Sequence, residues 1–201
     1  MKKEKKNRIV IYISNVILVV LLLITSLLLV RNTCYTAVVV YGSSMAPTLT
    51  QGDYGYALKT KYAKEHLKRF DIVIFEREES GGEKDLIKRV IALPGERCMF
   101  RGENCELYIE NEYIPQSFIS LEKQKLTCDA SVRDRWIEVP EHCYLVLGDN
   151  RDNSKDSLHG LGFVDQSEIV GVLSVITARC GSVDVNGQVC GNKKPTPFMY
   201  F

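Results

Sequence analysis

Two serines in a row, Ser43 and Ser44, follow an apolar run in "AVVVYGSSMAPTL". Gly, Ser and Pro are turn residues, so the stretch reads either as a plain turn or as a strand end that presents a hydroxyl for attack. A serine hydroxyl is a weak nucleophile at neutral pH and needs a base beside it. The chain has three histidines, His66, His142 and His159. A Ser-His-Asp triad can occur in any chain order. Here, however, His66 lies in a charged stretch and His142 in the turn-like "PEHCY", and each histidine reads as a surface residue. Lysine is the other base to weigh. In "LIKRVIAL", strand alternation puts Leu86, Lys88, Val90 and Ala92 on one face and Ile87, Arg89, Ile91 and Leu93 on the other. Burial of the first face would disfavour the ammonium and lower its pKa. Bringing it from ~10.4 into the range suited to a general base costs roughly 4 kcal/mol. The competing reading is a lysine that snorkels from an edge strand to solvent. A third stretch, "LGDNRDNSKDS" over 147–157, is an acidic loop without calcium-loop spacing. Counted from Asp149, Arg151 and Lys155 fall at ligand positions, and Ser154 falls where glycine is required. No metal and no cofactor is expected.

The elements that must hold these residues read mostly as short strands. "YTAVVVYG", "FDIVIFER", "DLIKRVIALPGE", "CELYIENEYI", "RWIEVPEHCYLVLGD" and "EIVGVLSVITARC" are β-branched or aromatic runs bounded by Gly, Pro and Asn, the pattern of a mainly β, antiparallel domain. "KTKYAKEHLKR" is a candidate helix, residues 96–145 a candidate inserted subdomain, and the tail "GNKKPTPFMYF" shows no clear element. Before the strands comes a basic N-terminus, 1–8, with Lys2, Lys3, Lys5, Lys6 and Arg8, and then an uncharged run over 9–30. As a helix that run would be about 33 Å long, enough for a hydrocarbon core. A secretory signal has a shorter apolar core and a small-residue cleavage pattern, so an uncleaved anchor is expected. The basic cluster then places the N-terminus in the cytoplasm and residues 31–201 outside the cell membrane.

The formal net charge of +1 over 201 residues argues against nucleic acid as a partner. Seven cysteines suit the oxidising side of a membrane. Cys98 and Cys105 flank a plausible turn, and Cys180 and Cys190 flank a hairpin-like stretch with Asn186-Gly187 at its bend. Either pair is a candidate disulfide. Cys34, Cys128 and Cys143 leave an odd count.

Taken together, "GSSMAPTL", "RFDIVIF", "LIKRVIALPGE" and "GDNRDNSKDS" stand in the order and rough spacing of the boxes of type I signal peptidases, and the chain resembles that family over residues 1 to about 180. The resemblance implies a membrane-anchored antiparallel β protease acting on exported preproteins. It makes Ser44, the serine before Met45, the nucleophile and Lys88 the general base. Ser154 would hold the lysine amine. The backbone at Ser44 and Gly42 would form the oxyanion hole, and Asp149, Arg151 and Asp156 would brace the loop. Val38, Val40, Met45, Leu49, Leu86 and Ile87 flank the dyad and are suited to line shallow pockets for small side chains at −1 and −3. Their plainer reading is core. A lysine base and the short inserted region point to the Gram-positive bacterial type. Two positions depart from the family pattern: Leu158 stands where an arginine partner for Asp156 is usual, and Phe70 where glycine is usual. The competing functions are a specialised relative that processes pilins or conjugation proteins and an inactive membrane-anchored scaffold. The latter would be marked by loss of Ser44 or Lys88, and both are present.

Overall fold

The uncharged run 9–30 lies within the helix α1 (Lys2–Cys34) in the computed structural model, which describes residues 2–79, 82–180 and 193–200. Contacts divide the chain into two units, Met1–Tyr35 and Thr36–Phe201. In the first, the stretch Asn7–Cys34 is long and apolar enough to cross a membrane, and none of its apolar window is buried against protein. A helix apolar on all sides requires an apolar surrounding. Three of its hydroxyls are satisfied within the helix: Thr25, Ser26 and Thr33 donate to the carbonyls of Leu22, Leu23 and Leu29.

The second unit is built on two sheets. The larger contains β1 (Tyr35–Val39), β2 (Tyr54–Leu58), β3 (Ile72–Glu79), β4 (Gly82–Ala92), β9 (Cys143–Leu147), β10 (Val164–Asp165), β11 (Ile169–Cys180) and β12 (Lys193–Tyr200). Its order is β1-β2-β11-β3-β4-β9-β10, with β12 on β11. The ladders from β2 to β10 and that of β12 are antiparallel. The smaller sheet has the order β7-β6-β5-β8, from β5 (Arg97–Arg101), β6 (Glu106–Ile109), β7 (Glu112–Tyr113) and β8 (Trp136–Glu138). It is antiparallel throughout and falls in the stretch expected to be an insertion. It is not a compact unit of its own: Phe100, Leu107 and Ile109 share one core cluster with Ile91, Leu145 and Leu147 of the larger sheet. Two short helices lie between strands, α2 (Lys61–Glu65), capped by Thr60, and α3 (Leu121–Lys125), capped by Ser120.

Two features of the larger sheet shape the site. β3 pairs with β4 from Gly82 to Arg89, whereas β9 takes the other edge of β4 only from Arg89 onward. Among the described residues, Gly82–Lys88 therefore keeps one edge without a strand partner. Among the described residues β1 also ends the sheet, so its outer edge has no strand partner either.

Two expectations need correcting. The tail is not without structure, since Lys193–Tyr200 pairs with β11. β2 occupies one edge of β11 over 172–178, so β12 extends the edge that β3 leaves after Val172. Prolines are tolerated in such a peripheral strand. The pairing of Cys98 with Cys105 is also overturned, because Cys105 bonds Cys128, with Cα atoms 5.9 Å apart. The β5–β6 register matches Cys98 with Ile109 and Arg101 with Glu106, which sets Cys98 and Cys105 about four residues apart along the strands. At ~3.3 Å per residue that is about 13 Å, beyond disulfide reach. Cys98 is instead a buried free thiol, as Cys34 and Cys143 are also free. Burial pushes its pKa up to about 12. The hairpin expected at Cys180–Cys190 lies outside the described residues.

Candidate functional site

After β1 the chain turns at Gly42, whose φ of +80° is the left-handed conformation glycine tolerates. It then runs through Ser43 and Ser44 into a tight loop closed by Ala46 N–H to Ser43 O and Leu49 N–H to Met45 O. Met45 and Leu49 anchor this loop in a core cluster with Val40, Ile72, Leu173 and Ile176. The Ser44 hydroxyl is therefore carried on a loop whose apolar residues are fixed.

β4 brings Lys88 to it. Lys88 Nζ donates to Ser44 Oγ at 2.8 Å and to Ile87 O at 3.0 Å. The lysine is 3% exposed, so it does not snorkel to solvent. Burial lowers its pKa, while the Asp156 and Asp149 carboxylates pull in the opposite direction. The net shift favours the neutral amine, which can accept a proton. The histidines are engaged elsewhere. His66 Nδ1 meets Tyr62 O, His142 occupies a left-handed turn position, and His159 Nδ1 lies 2.8 Å from Asp156 Oδ1.

The acidic loop braces this pair. Asp149, fully buried, accepts from Arg89 Nε at 2.9 Å and Nη2 at 2.6 Å. Arg89 also donates to Phe70 O and stacks over Phe118, 4.2 Å from the ring centre. Arg151, buried enough that its pKa falls to about 10, donates to Gly148 O, Thr127 Oγ1 and Gln116 Oε1. Asp156 accepts from Gly148 N–H and Leu158 N–H. Where Leu158 displaces the arginine of the family pattern, His159, one residue on, partners Asp156, and Leu158 packs against the core. Gly148 cannot carry a side chain, since an added Cβ would lie 2.5 Å from Ser44 O. Ser154 does not bond the amine as expected. Its hydroxyl is buried against Gly148 without a hydrogen-bond partner, while Lys88 Nζ bonds Ser44 Oγ and Ile87 O.

A groove of about 650 Å³ opens beside Ser44 and Lys88. Val38, Val40, Met45, Leu86 and Ile87 line it, with Ile74 and Val170 from the sheet face. Leu49 does not. It is fully buried under the loop and belongs to the core.

Sequence reasoning missed Arg89, Gln116, Lys123, Thr127, Asn150 and His159. Arg89 was legible as the off-face neighbour of Lys88. The residues at 116–127 gave no signal, because their partners lie 24 to 35 residues away along the chain.

The pattern of the family described as signal peptidase, peptidase S26, matches residues 12–178. A signal peptidase I of Bacillus caldolyticus is 37% identical over 144 residues, covering 68% of this chain and 76% of that protein. Signal peptidase I U of Bacillus subtilis is 31% identical over 179 residues, covering 88% and 90%. A solved signal peptidase I from Enterococcus faecalis, 30% identical, covers 54% of this chain and 97% of its own at a TM-score of 0.41, too loose a superposition to bear on the fold. The match over most of both chains is decisive: this chain belongs to the signal peptidase I family of serine endopeptidases, peptidase S26.

Proposed function

We propose that Ser44 is the nucleophile and Lys88 the general base of a Ser-Lys dyad that removes signal peptides from exported preproteins. The observation that carries this reading is the 2.8 Å contact between Ser44 Oγ and a buried Lys88 Nζ. The neutral amine takes the Ser44 proton as Oγ attacks the scissile carbonyl. The ammonium then returns that proton to the leaving amine, and an acyl-enzyme remains. Lys88 next deprotonates water, which releases the acid and regenerates Ser44. The oxyanion is met by the Ser44 N–H and by backbone at Gly42, where the left-handed turn leaves open space. Such aimed donors act where charge develops.

The substrate lies extended in the groove. The open edges of β1 and of Gly82–Lys88 offer backbone groups for strand addition, and the Val38, Val40, Met45, Leu86 and Ile87 side chains line the groove where small groups at −1 and −3 would sit. The helix α1 anchors the protein in the lipid bilayer of the cell membrane. The basic residues before it, against Arg31 after it, put the N-terminus in the cytoplasm and the catalytic unit outside. The Cys105–Cys128 disulfide suits that side. Nucleic acid is not a partner in this reading.

Ser44→Ala and Lys88→Ala should each lower preprotein cleavage on the order of 10⁴–10⁶-fold with unchanged melting, whereas Ser43→Ala should stay active. An active Ser44→Ala with a dead Ser43→Ala would reverse the assignment. Replacing alanine by leucine at −1 of the preprotein should stop the cut, and the same change at +2 should not.

The pH profile is an independent check. Because burial lowers the Lys88 pKa and the base acts in its neutral form, kcat/KM should rise with pH along one limb. Its midpoint should fall below the ~10.4 of a free lysine.

A further inference from the structure

The connection that carries α3 reaches the proposed oxyanion donor by a relay of hydrogen bonds. Lys123 Nζ donates to Asn150 Oδ1 at 2.7 Å and also to the Asp152 carboxylate. Asn150 in turn makes two contacts with the nucleophile loop. Its backbone N–H donates to Ser44 O at 3.0 Å, and its side-chain Nδ2 donates to Ser43 O at 3.0 Å. The ammonium can only face the amide oxygen, so Lys123 dictates which way the Asn150 amide is turned. The Ser43 carbonyl and the Ser44 N–H belong to one planar trans peptide. Holding the Ser43 oxygen therefore aims the Ser44 N–H. From this geometry we infer that Lys123, acting through Asn150, is a positioning residue that sets the direction of the oxyanion donor. The inference rests on the proposal above that the Ser44 N–H receives the developing charge.

Lys123 is itself held firmly. Ser120 caps its helix at Lys123 N–H, Gln124 donates to Asn104 O, and the chain just after it is tied by Thr127 to Arg151 and by Cys128 to Cys105. The second sheet and its disulfide thus supply the fixed point from which the loop is aligned. The alternative is an ordinary surface ion pair between Lys123 and Asp152. Those side chains are 32% and 50% exposed, and such pairs contribute little to stability. An effect on rate without an effect on stability separates the two roles.

The test uses the full chain in detergent. Lys123→Met should lower kcat about tenfold to a hundredfold, short of losing a donor outright, with KM, melting temperature and the midpoint of the pH limb unchanged. A substrate-derived peptide aldehyde, whose hemiacetal oxygen occupies the oxyanion position, should bind more weakly by the same factor. Lys123→Arg, which keeps a cationic donor, should restore most of the rate. Asn150→Asp, which keeps the Lys123 partner but removes the Nδ2 donor, should reproduce the loss, and adding Lys123→Met to it should cost little more. An unchanged kcat in Lys123→Met overturns the inference, as does a loss confined to KM or melting with aldehyde affinity intact. Ser44→Ala keeps the two claims apart. If it still cleaves, the nucleophile assignment fails. If it is dead while Lys123→Met behaves as wild type, only the positioning role fails.

Discussion

The two sheets contribute to the site in opposite ways. The larger carries Lys88 on β4, the loop with Ser44 just beyond β1, and the strands that line the apolar groove. The connection between β7 and β8 of the smaller sheet supplies no group that contacts Ser44 Oγ. It contributes Gln116, Lys123 and Thr127, which hold Arg151 and Asn150. In the proposed reading one region does the chemistry and the other fixes the loop on which that chemistry depends. They are also secured differently. Around the dyad the restraint is electrostatic and buried, with Arg89 on Asp149, whereas the bracing region is closed by a covalent bond.

The sharpest way to break this contrast is at the buried pair. Asp149→Ala would leave Arg89, only 7% exposed at its side chain, without its carboxylate. Removing one member of a buried pair costs about 3–5 kcal/mol, which urea unfolding would measure. A second effect has a definite sign. Asp149 works against the burial that lowers the Lys88 pKa, so its loss should shift the rising limb of kcat/KM to lower pH. A limb that moves upward would mean that Asp149 does not act on Lys88 through its charge.

The covalent side predicts a smaller change with a different signature. Cys105 and Cys128 close a loop spanning 23 residues, worth about 3 kcal/mol in the chain-entropy picture. Cys105→Ser with Cys128→Ser, or reduction of the native protein, should lower stability by about that amount. The rate should fall through loosening of Lys123 and Thr127, while the midpoint of the pH limb stays in place, since neither cysteine approaches Lys88. A shifted limb would show that the two regions are not separable in this way.

The larger sheet was the more legible of the two for a physical reason. Several of its strands carry apolar runs, as in the first half of β3 and the second half of β4, and the site boxes lie on or beside them, so local pattern and proposed site coincide at Ser44, Lys88 and the 147–157 loop. The groove residues were legible as well, except Leu49, which a one-dimensional list places beside Met45 but which the turn sends into the core. What sequence could not supply was pairing at a distance. The disulfide expected between Cys98 and Cys105 assumed that flanking a turn means facing across it, and the β5–β6 register denies this. The tail strand was hidden by its prolines, which a peripheral position tolerates. His159 was hidden because a partner for Asp156 was sought at 158 rather than one residue on. Ser154 was given a role by resemblance that its side chain, turned against Gly148, does not take here.

The smallest prediction concerns Phe70, where the family pattern has glycine. Its φ is +75°, a conformation that costs a residue with a Cβ roughly 1 kcal/mol more than it costs glycine. The backbone is held there by Phe70 N–H to Val90 O at 2.8 Å and by Arg89 Nη1 to Phe70 O at 2.8 Å. The arginine that holds Asp149 therefore depends on this strained carbonyl. The ring offsets the strain: it lies 4.9 Å from Phe118, centre to centre, and packs against the cluster that spans both sheets. Phe70→Ala removes the ring and keeps the strain, whereas Phe70→Gly removes both. The glycine variant should accordingly be the more stable of the two by about 1 kcal/mol, although both fall below the wild type. If alanine proves as stable as glycine at this position, the backbone is not strained at Phe70, and its carbonyl is held toward Arg89 by packing alone.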